Sequence, residues 1–213
     1  TAQAYGSSEE TLGKLKSSTS NFGIINKFSD KRKIKIWNKA DINTWEKDFK
    51  SSLQKLKVNR IDSFLVHNHQ DLIKPSSRIL IDWLQSLKER GLVNRIGTSI
   101  YDIQDLDRLP LKKLDLIQLP LSIYDQRFLS NDTINSLVSS GIKVHVRSIF
   151  LQGLLLQSVS NWPSFLSDDF KLHHVKYNNK LKKLGINLLE ASINFIYSCK
   201  NIELVLFGVT SLS

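Results

Sequence analysis

The sequence contains one cysteine and no methionine among its 213 residues. A single thiol, Cys199, cannot form an internal disulfide, so a reducing compartment fits this composition. Residues 188–196 place apolar side chains at helical spacing before Cys199, and we therefore expect a buried, unreactive thiol. The absence of methionine leaves the chain without a start residue, and we expect the sequence to be a piece of a longer product.

Long apolar runs and metal-ligand spacings are also missing. No stretch reaches the ~18 apolar residues of a membrane-spanning helix, and the first residues lack a signal-peptide pattern, so we expect a soluble, cytoplasmic protein. His69, His145, His173 and His174 are not spaced with carboxylates or thiols as metal ligands are, which predicts no metal site. We expect His173 and His174 to lie on a helix surface. No sequence repeat indicates a solenoid.

Acidic residues are the minority among the charged side chains. The 30 lysines and arginines against 20 aspartates and glutamates give a net charge of +10, which would suit an anionic ligand, a nucleic acid or an acidic surface. Most basic residues are dispersed over predicted helix faces, and the densest group lies between a strand and a helix. Its members are Lys31, Arg32, Lys33, Lys35 and Lys39. Apolar residues interrupt the group, so we interpret it as a solvated or substrate-flanking loop rather than a nucleic-acid contact.

What the sequence does have is a regular alternation of strands and helices. Composition is typical of a globular protein, at 41% hydrophobic and 23% charged residues, and 213 residues suffice for one α/β domain. Six short apolar runs each lead to a polar or charged residue or to a glycine. They are residues 22–25 before Lys27, 61–66 before His67, 95–98 before Ser99, 114–117 before Gln118, 142–146 before Arg147 and 203–207 before Gly208.

Helical patterns separate these runs. Apolar spacing and capping residues predict helices over about 8–16, 41–57, 76–90, 102–108, 130–140, 168–184 and 187–199. The stretch 150–167 has no regular pattern and is too long for a mere connector, so we interpret it as a lid over a site. The alternation predicts a parallel α/β sheet with its chemistry at the carboxyl ends of the strands. Periodicity alone leaves an open sheet and a closed barrel as alternatives.

Tyr5, Lys27 and His67 follow three consecutive strand positions, if the segment before Thr1 is itself a strand. Neighbouring parallel strands lie ~4.8 Å apart, so these side chains can converge. The trio suits carbonyl reduction, in which a growing negative charge on oxygen must be stabilised and protonated. For each residue taken alone, a non-catalytic role remains an alternative: Tyr5 as a packing residue, Lys27 as a solvated side chain and His67 as a cap of backbone groups.

Six segments resemble, in the correct order, motifs of the aldo/keto reductase family. Residues 1–9 read Thr-Ala-Gln-Ala-Tyr-Gly-Ser-Ser-Glu and are similar to the family's Thr-Ala-x-x-Tyr-Gly-x-Ser-Glu signature. Residues 25–28 resemble the family's lysine strand and residues 61–68 its histidine strand. Further matches lie at residues 95–99, 116–120 and 147–155.

The resemblance covers the whole chain and implies a TIM-type (β/α)8 barrel, a single domain over residues 1–213, and reduction of aldehydes or ketones by NADPH, with NADH as an alternative. By the resemblance, Tyr5 is the proton donor, Lys27 lowers its pKa and His67 orients the substrate. Apart from Arg147, the residues implied to bind the cofactor fall into three groups. Ser99 and Gln118 would bind the nicotinamide carboxamide, and Ser148, Phe150 and Gly153 belong to the loop that would approach the pyrophosphate. Gly208, Thr210 and Ser211 resemble the start of the adenosine phosphate segment, although a plain turn is an alternative there.

Several departures from the family pattern bear on these roles. The family's catalytic aspartate immediately precedes the Thr-Ala of the signature, and the sequence begins at Thr1. Ile100 stands where many members have a carboxamide-binding asparagine. Arg147 stands where many have an aromatic side chain stacked on the nicotinamide, and a planar guanidinium can stack there too. We expect a barrel truncated at both ends, which would leave two strand edges unpaired. Either the intact product is longer, or this truncated form is unstable or inactive.

The sequence therefore favours a reductase of small carbonyl compounds, without a nucleic-acid or membrane partner and with its oligomeric state open. The main alternative is a catalytically inactive relative that senses the cofactor or binds a partner. Binding of nucleic acid through the basic surface is a more distant third. Trp37 and Trp162 lie in predicted loops at the active-site end, where lining an apolar substrate pocket and plain packing are equal alternatives.

Overall fold

Six parallel strands form the framework of the protein. The computed structural model describes residues 1–18, 22–31 and 33–208. The strands follow one another in a single sheet in sequence order, and each pairing for which the register is defined is parallel. They are β1 (Ile25–Phe28), β2 (Ile61–Val66), β3 (Val93–Ser99), β4 (Leu116–Pro120), β5 (Lys143–Arg147) and β6 (Leu204–Val205). The predicted parallel α/β architecture is confirmed.

Helices connect the strands. The α-helices are α1 (Ser8–Ser18), α2 (Asp41–Leu56), α3 (Ser77–Glu89), α4 (Thr133–Ser139), α5 (Asp168–Lys183) and α6 (Leu188–Ser198). Short 3-10 turns lie at His69–Leu72, Ile103–Arg108, Leu111–Lys113, Arg127–Asp132, Leu154–Leu156 and Val159–Asn161. The predicted helices over 102–108 and 130–140 differ in kind: the first is a 3-10 turn, and the second begins as one before it becomes α4. Non-helical backbone at Ser130 and Asn131 causes that break.

The chain divides into two compact units. The first comprises Thr1–Gln118 with Ser139–Lys143, and the second comprises Leu119–Val138 with the described residues from Val144 onward. In the described residues, no helix is long and apolar enough to cross a membrane. No cluster of three or more histidine, cysteine or acidic side chains in that same part of the chain could hold a metal ion.

An aromatic core fills the first unit between β1, β2 and the helices α2 and α3. The rings of Phe28 and Phe64 from the strands pack edge-on or tilted against Trp45, Phe49 and Trp83 from the helices, with centroids 5.1–6.5 Å apart. All five side chains are at most 4% exposed. Such rings contribute large buried apolar areas, and this cluster holds the strands against their helices.

Packing, rather than a substrate pocket, is the role of both loop tryptophans. Trp37 is 1% exposed, contacts Trp45 edge-on at 5.2 Å between centroids, and donates its Nε1 hydrogen to the Asp71 carbonyl at 2.9 Å. In the second unit, Trp162 is 6% exposed and donates to the Leu154 carbonyl at 2.9 Å. Burial with a satisfied indole N–H is the usual arrangement of a core tryptophan.

A glycine allows the close approach of β3 and β4. A Cβ atom on Gly97 would lie 2.1 Å from the carbonyl oxygen of Leu116, a distance that no side chain tolerates. The pairing of these two residues sets the register that follows, in which Thr98 pairs with Ile117 and Ser99 with Gln118. A larger residue at position 97 would therefore displace the ends of both strands.

The prediction that His174 lies on the helix surface is wrong. His174 is 3% exposed, its ring is tilted against that of Trp162 with centroids 4.6 Å apart, and its Nδ1 atom lies 3.2 Å from the Tyr124 hydroxyl. His173, one residue earlier, is exposed as expected. The segment predicted as an irregular lid carries Trp162, whose ring contacts those of Phe170 and His174 on α5 at 5.3 and 4.6 Å, so this part of the segment is packed within the second unit. Helical periodicity could not separate the two histidines, because neighbouring positions on a helix differ by only about 100°.

Candidate active site

The first residues of the chain run along the open side of β1. The backbone nitrogen of Thr1 donates to the Ile25 carbonyl at 2.8 Å, and that of Gln3 donates to the Lys27 carbonyl at 3.1 Å. Donation from alternate residues of one segment to alternate carbonyls of the next is the pattern of a parallel ladder. The Gln3 side chain also accepts hydrogen bonds from the Ser29 amide and hydroxyl at 3.0 and 3.1 Å. The segment that leads to Tyr5 is therefore attached to the carboxyl end of β1.

Tyr5 and His67 are in direct ring contact. Their centroids are 5.6 Å apart and their planes meet at 84°, an edge-to-face arrangement. Tyr5 lies in the turn after the first residues and is 48% exposed, whereas His67 directly follows β2 and is half-buried. Sixty-two positions along the sequence separate these residues, and the fold brings them to the same edge of the sheet.

Lys27 comes from the strand between these two residues. Its backbone accepts the hydrogen bond from Gln3 on one side, and on the other side the amide of His67 donates to the Phe28 carbonyl at 3.3 Å. The Lys27 side chain is only 8% exposed. A lysine at a strand end that keeps its side chain out of water is uncommon, because burial of an ammonium costs free energy unless nearby groups compensate for it. This burial argues against the simple solvated lysine.

Ser99 and Gln118 lie level with His67 on the next two strands. Val66 pairs with Thr98, and Ser99 pairs with Gln118, so the residue after β2 and these two polar residues occupy one level of the sheet. Paired residues of neighbouring parallel strands direct their side chains to the same face. Ser99 is 1% exposed and Gln118 is fully buried. In the described residues, neither the Nε2 nor the Oε1 atom of Gln118 has a hydrogen-bond partner.

Sequence reasoning missed a contact between a histidine and a carboxylate at this edge. Nε2 of His69 lies 3.1 Å from Oδ1 of Asp105, and the histidine is 7% exposed. The other carboxylate oxygen of Asp105 accepts the backbone N–H groups of Tyr101 and Asp102 at 2.8 and 2.9 Å. The pair thus joins the turn after β2 to the turn after β3. The only sequence signal for this contact is that His69 lies two residues after His67.

Within the second unit, the residues after β5 form a loop with unusual backbone angles. Ser148, Leu151, Gln152 and Gly153 all have positive φ, at 61°, 47°, 59° and 88°. Such angles cost free energy for residues other than glycine, and they concentrate in ligand-binding loops. Arg147 at the end of β5 donates from Nη1 to the Ser148 hydroxyl at 3.2 Å, so the two residues adopt a joint conformation.

The remaining residues predicted to bind cofactor lie near the two ends of this loop and beyond β6. Phe150 is half-buried and its ring lies 6.3 Å from that of Phe207, the exposed residue just before Gly208. Gly208 itself is exposed. Thr210 and Ser211 lie outside the described residues. Cys199, predicted to be buried and unreactive, is partly buried, and burial raises the pKa of its thiol.

A comparison with protein-family models assigns the whole sequence to one family. The family model for aldo/keto reductases matches residues 1–213. This chain belongs to the aldo/keto reductase family. Membership indicates an oxidoreductase that uses NAD(P)H and a small carbonyl compound. A search of curated proteins finds no match to the sequence.

Solved structures of aldo/keto reductases share the fold. The glycerol dehydrogenase of Gluconobacter oxydans is 20% identical and has a TM-score of 0.68, over 96% of this chain and 69% of that one. An aldo-keto reductase from Bacillus halodurans in its holo form is 23% identical with a TM-score of 0.70, over 99% of this chain and 72% of that one. The predicted TIM-barrel class is thereby confirmed, and the chain spans about 70% of the length of these barrels.

Proposed function

We propose that this aldo/keto reductase transfers hydride from NADPH to an aldehyde or ketone, with Tyr5 as the proton donor. The observation that carries the proposal is the edge contact between the Tyr5 and His67 rings at 5.6 Å, beside the strand that supplies buried Lys27. Three groups with complementary roles in carbonyl reduction thus come from adjoining segments. The single cysteine of the sequence agrees with a cytoplasmic site of action.

Each member of the trio has a separate task in the proposed reaction. As the carbonyl oxygen gains negative charge, the Tyr5 hydroxyl transfers its proton to that oxygen and becomes a phenolate. A nearby ammonium favours the phenolate, so Lys27 makes Tyr5 a stronger acid than a free tyrosine, whose pKa is ~10. His67 in its neutral form donates a hydrogen bond that orients the carbonyl oxygen toward Tyr5.

The residues of the first unit fit a nicotinamide ring. The side-chain carboxamide of Gln118 is buried, and neither its nitrogen nor its oxygen has a hydrogen-bond partner among the described residues. Ser99 is its neighbour on β3. A ligand with its own carboxamide would satisfy both the donor and the acceptor of Gln118. When bound, the nicotinamide supplies the hydride, and Ser99 and Gln118 hold its carboxamide in orientation. Burial excludes water from this contact and strengthens it.

The family resemblance also assigns cofactor contacts to residues of the second unit. By the family resemblance, Arg147 stacks on the nicotinamide, and backbone amides of the loop containing Ser148, Phe150 and Gly153 contact the pyrophosphate. The positive φ angles of this loop support that role, because they are typical of loops that bind anions. Gly208, Thr210 and Ser211 would begin the segment that receives the adenosine phosphate, which is the group that distinguishes NADPH from NADH.

The test is the substitution Tyr5→Phe, which removes the hydroxyl and keeps the ring contact with His67. We expect kcat/KM with NADPH and an aromatic aldehyde to fall by roughly 10²–10⁴, the range attributed to general acid catalysis. NADPH affinity, measured by cofactor fluorescence, should stay within a few-fold, because the hydroxyl acts in the transition state. Tyr197→Phe is a matched control, since Tyr197 is 83% exposed on α6.

Two outcomes would contradict the proposal. Reduction at an unchanged rate by the Tyr5→Phe variant would show that another group donates the proton. A wild-type protein that alters NADPH fluorescence but reduces no member of a panel of aldehydes and ketones would be a cofactor-binding module without this activity.

A further inference from the structure

The loop between β1 and α2 lies at the rim of the candidate active site. It begins two residues after Lys27 and ends at Asp41, the first residue of α2. In parallel α/β folds the segments that lead from strands to helices surround the site, whereas those that lead from helices to strands lie at the opposite edge. The loop is therefore in a position to contact a substrate that approaches Tyr5.

One side of this loop is held firmly by the turn after β2. The fully buried Asp71 accepts the Lys31 amide on Oδ2 at 3.1 Å, and its carbonyl accepts the indole N–H of Trp37 at 2.9 Å. Lys74 donates to the Lys31 carbonyl at 2.7 Å, pairs with Asp71 and lies 4.3 Å from the centroid of the Trp37 ring. These contacts hold the Lys31 backbone and the Trp37 side chain, and the residues between them that the structure describes, at positions 33–36, are exposed.

The outward side of the loop is basic and partly apolar. Lys33, Lys35 and Lys39 are exposed, and Ile34 and Ile36 between them are 37% and 60% exposed. In the described part of the chain, none of these three lysines forms an ion pair.

Two lysines on the opposite side, Lys31 of the loop and Lys74 from the turn after β2, do form ion pairs. Lys31 lies 3.6 Å from Asp48, and Lys74 pairs with Asp71. The rim of the site therefore carries three exposed lysines that form no ion pair with a described carboxylate.

We infer that the reductase proposed above acts on carbonyl compounds that also carry an anionic group, and that Lys33 and Lys35 attract this group. The inference rests on the proposed function and adds a substrate class to it. Uncompensated charge near a cleft raises the local concentration of oppositely charged ligands, and the effect weakens with ionic strength. The exposed isoleucines between the lysines suit the apolar part of such a substrate.

The experiment compares 4-carboxybenzaldehyde with methyl 4-formylbenzoate, which has the same ring and aldehyde without the charge. We expect the wild-type protein to show a higher kcat/KM for the acid than for the ester at low salt. This ratio should decline toward one as NaCl is raised from about 20 to 500 mM, because the Debye length shortens several-fold over that range. The salt series needs no variant and is therefore independent of any folding defect.

A charge-reversal pair locates the effect. The double variant Lys33→Glu/Lys35→Glu should lower the acid-to-ester ratio by about tenfold or more. The matched control is Lys112→Glu/Lys113→Glu, which makes the same change in net charge at the opposite edge of the sheet, just before β4. Both control lysines are exposed. The control should leave the ratio within twofold of the wild-type value.

The possible results separate this inference from the proposed function. A ratio near one at low salt, or equal losses in the two double variants, would overturn the substrate class while reduction of the ester preserves the reductase. Failure to reduce either aldehyde would overturn the proposed function and, with it, this inference.

Discussion

Asp105 accepts hydrogen bonds on both oxygens of its carboxylate, and His69 is the partner that comes from another strand end. The His69 Nε2 to Asp105 Oδ1 distance is 3.1 Å, and the second oxygen binds the amides of Tyr101 and Asp102. The pair therefore connects the turn that contains His67 to the turn that follows Ser99. We infer that this contact steadies the ends of β2 and β3 relative to each other, in addition to the pairing of the two strands themselves.

Loss of this pair should impair turnover more than folding. We expect His69→Ala to lower kcat and to cost about 1.5–3 kcal/mol in the free energy of unfolding, the range for a hydrogen bond to a charged group. His69→Gln keeps an N–H donor and should recover part of kcat. His173→Ala serves as the control, because His173 is exposed on α5. Equal loss of kcat in the Ala and Gln variants would speak against a positioning role.

The charge on Lys27 should control the acidity of Tyr5. Lys27→Met removes the ammonium, so the pKa of the Tyr5 phenol should rise and proton transfer at neutral pH should slow. The decline of kcat/KM at high pH, which reports deprotonation of the acid, should move to higher pH. Lys27→Arg retains a positive charge and should stay closer to the wild-type profile. An unchanged profile in the Met variant would remove Lys27 from the proposed mechanism.

Replacement of Gln118 should affect stability and cofactor affinity in opposite directions. Gln118→Leu removes two polar atoms that have no partner among the described residues, so the cofactor-free protein should be as stable as the wild type or more so. NADPH affinity should fall by about 5–30-fold, equivalent to ~1–2 kcal/mol for lost hydrogen bonds. Thermal unfolding without cofactor and a fluorescence titration measure the two effects. A loss of stability with unchanged affinity would indicate a purely structural glutamine.

Protonation of His174 should destabilise the second unit. Burial, with a smaller contribution from His173, lowers the pKa of His174 from its usual 6.5, and burial raises the pKa of Tyr124 to about 12. Tyr124 therefore keeps its proton and can donate it to neutral His174, 3.2 Å away. The unfolded chain protonates this histidine at higher pH than the folded protein, so the free energy of unfolding should fall as pH drops below about 6.5.

Urea denaturation at several pH values measures this dependence. His174→Phe keeps an aromatic ring against Trp162 and removes the titrating group, so the slope below pH 6.5 should become shallower. His173→Gln changes an exposed neighbour and should leave most of the slope in place. A wild-type slope that persists in the Phe variant would assign the pH dependence to other groups.

The sequence alone determined the alternation of strands and helices and predicted the end of the sheet at which the candidate site lies. The spacing of apolar residues and the polar residue that ends each run are local properties of the sequence. They placed β2 at residues 61–66, as the structure has it. Tertiary structure decided the contacts between residues far apart in the chain. The burial of His174, the packing of Trp37 and the pairing of His69 with Asp105 depend on which loops meet above the strands, and that outcome follows from three-dimensional packing rather than from any local period.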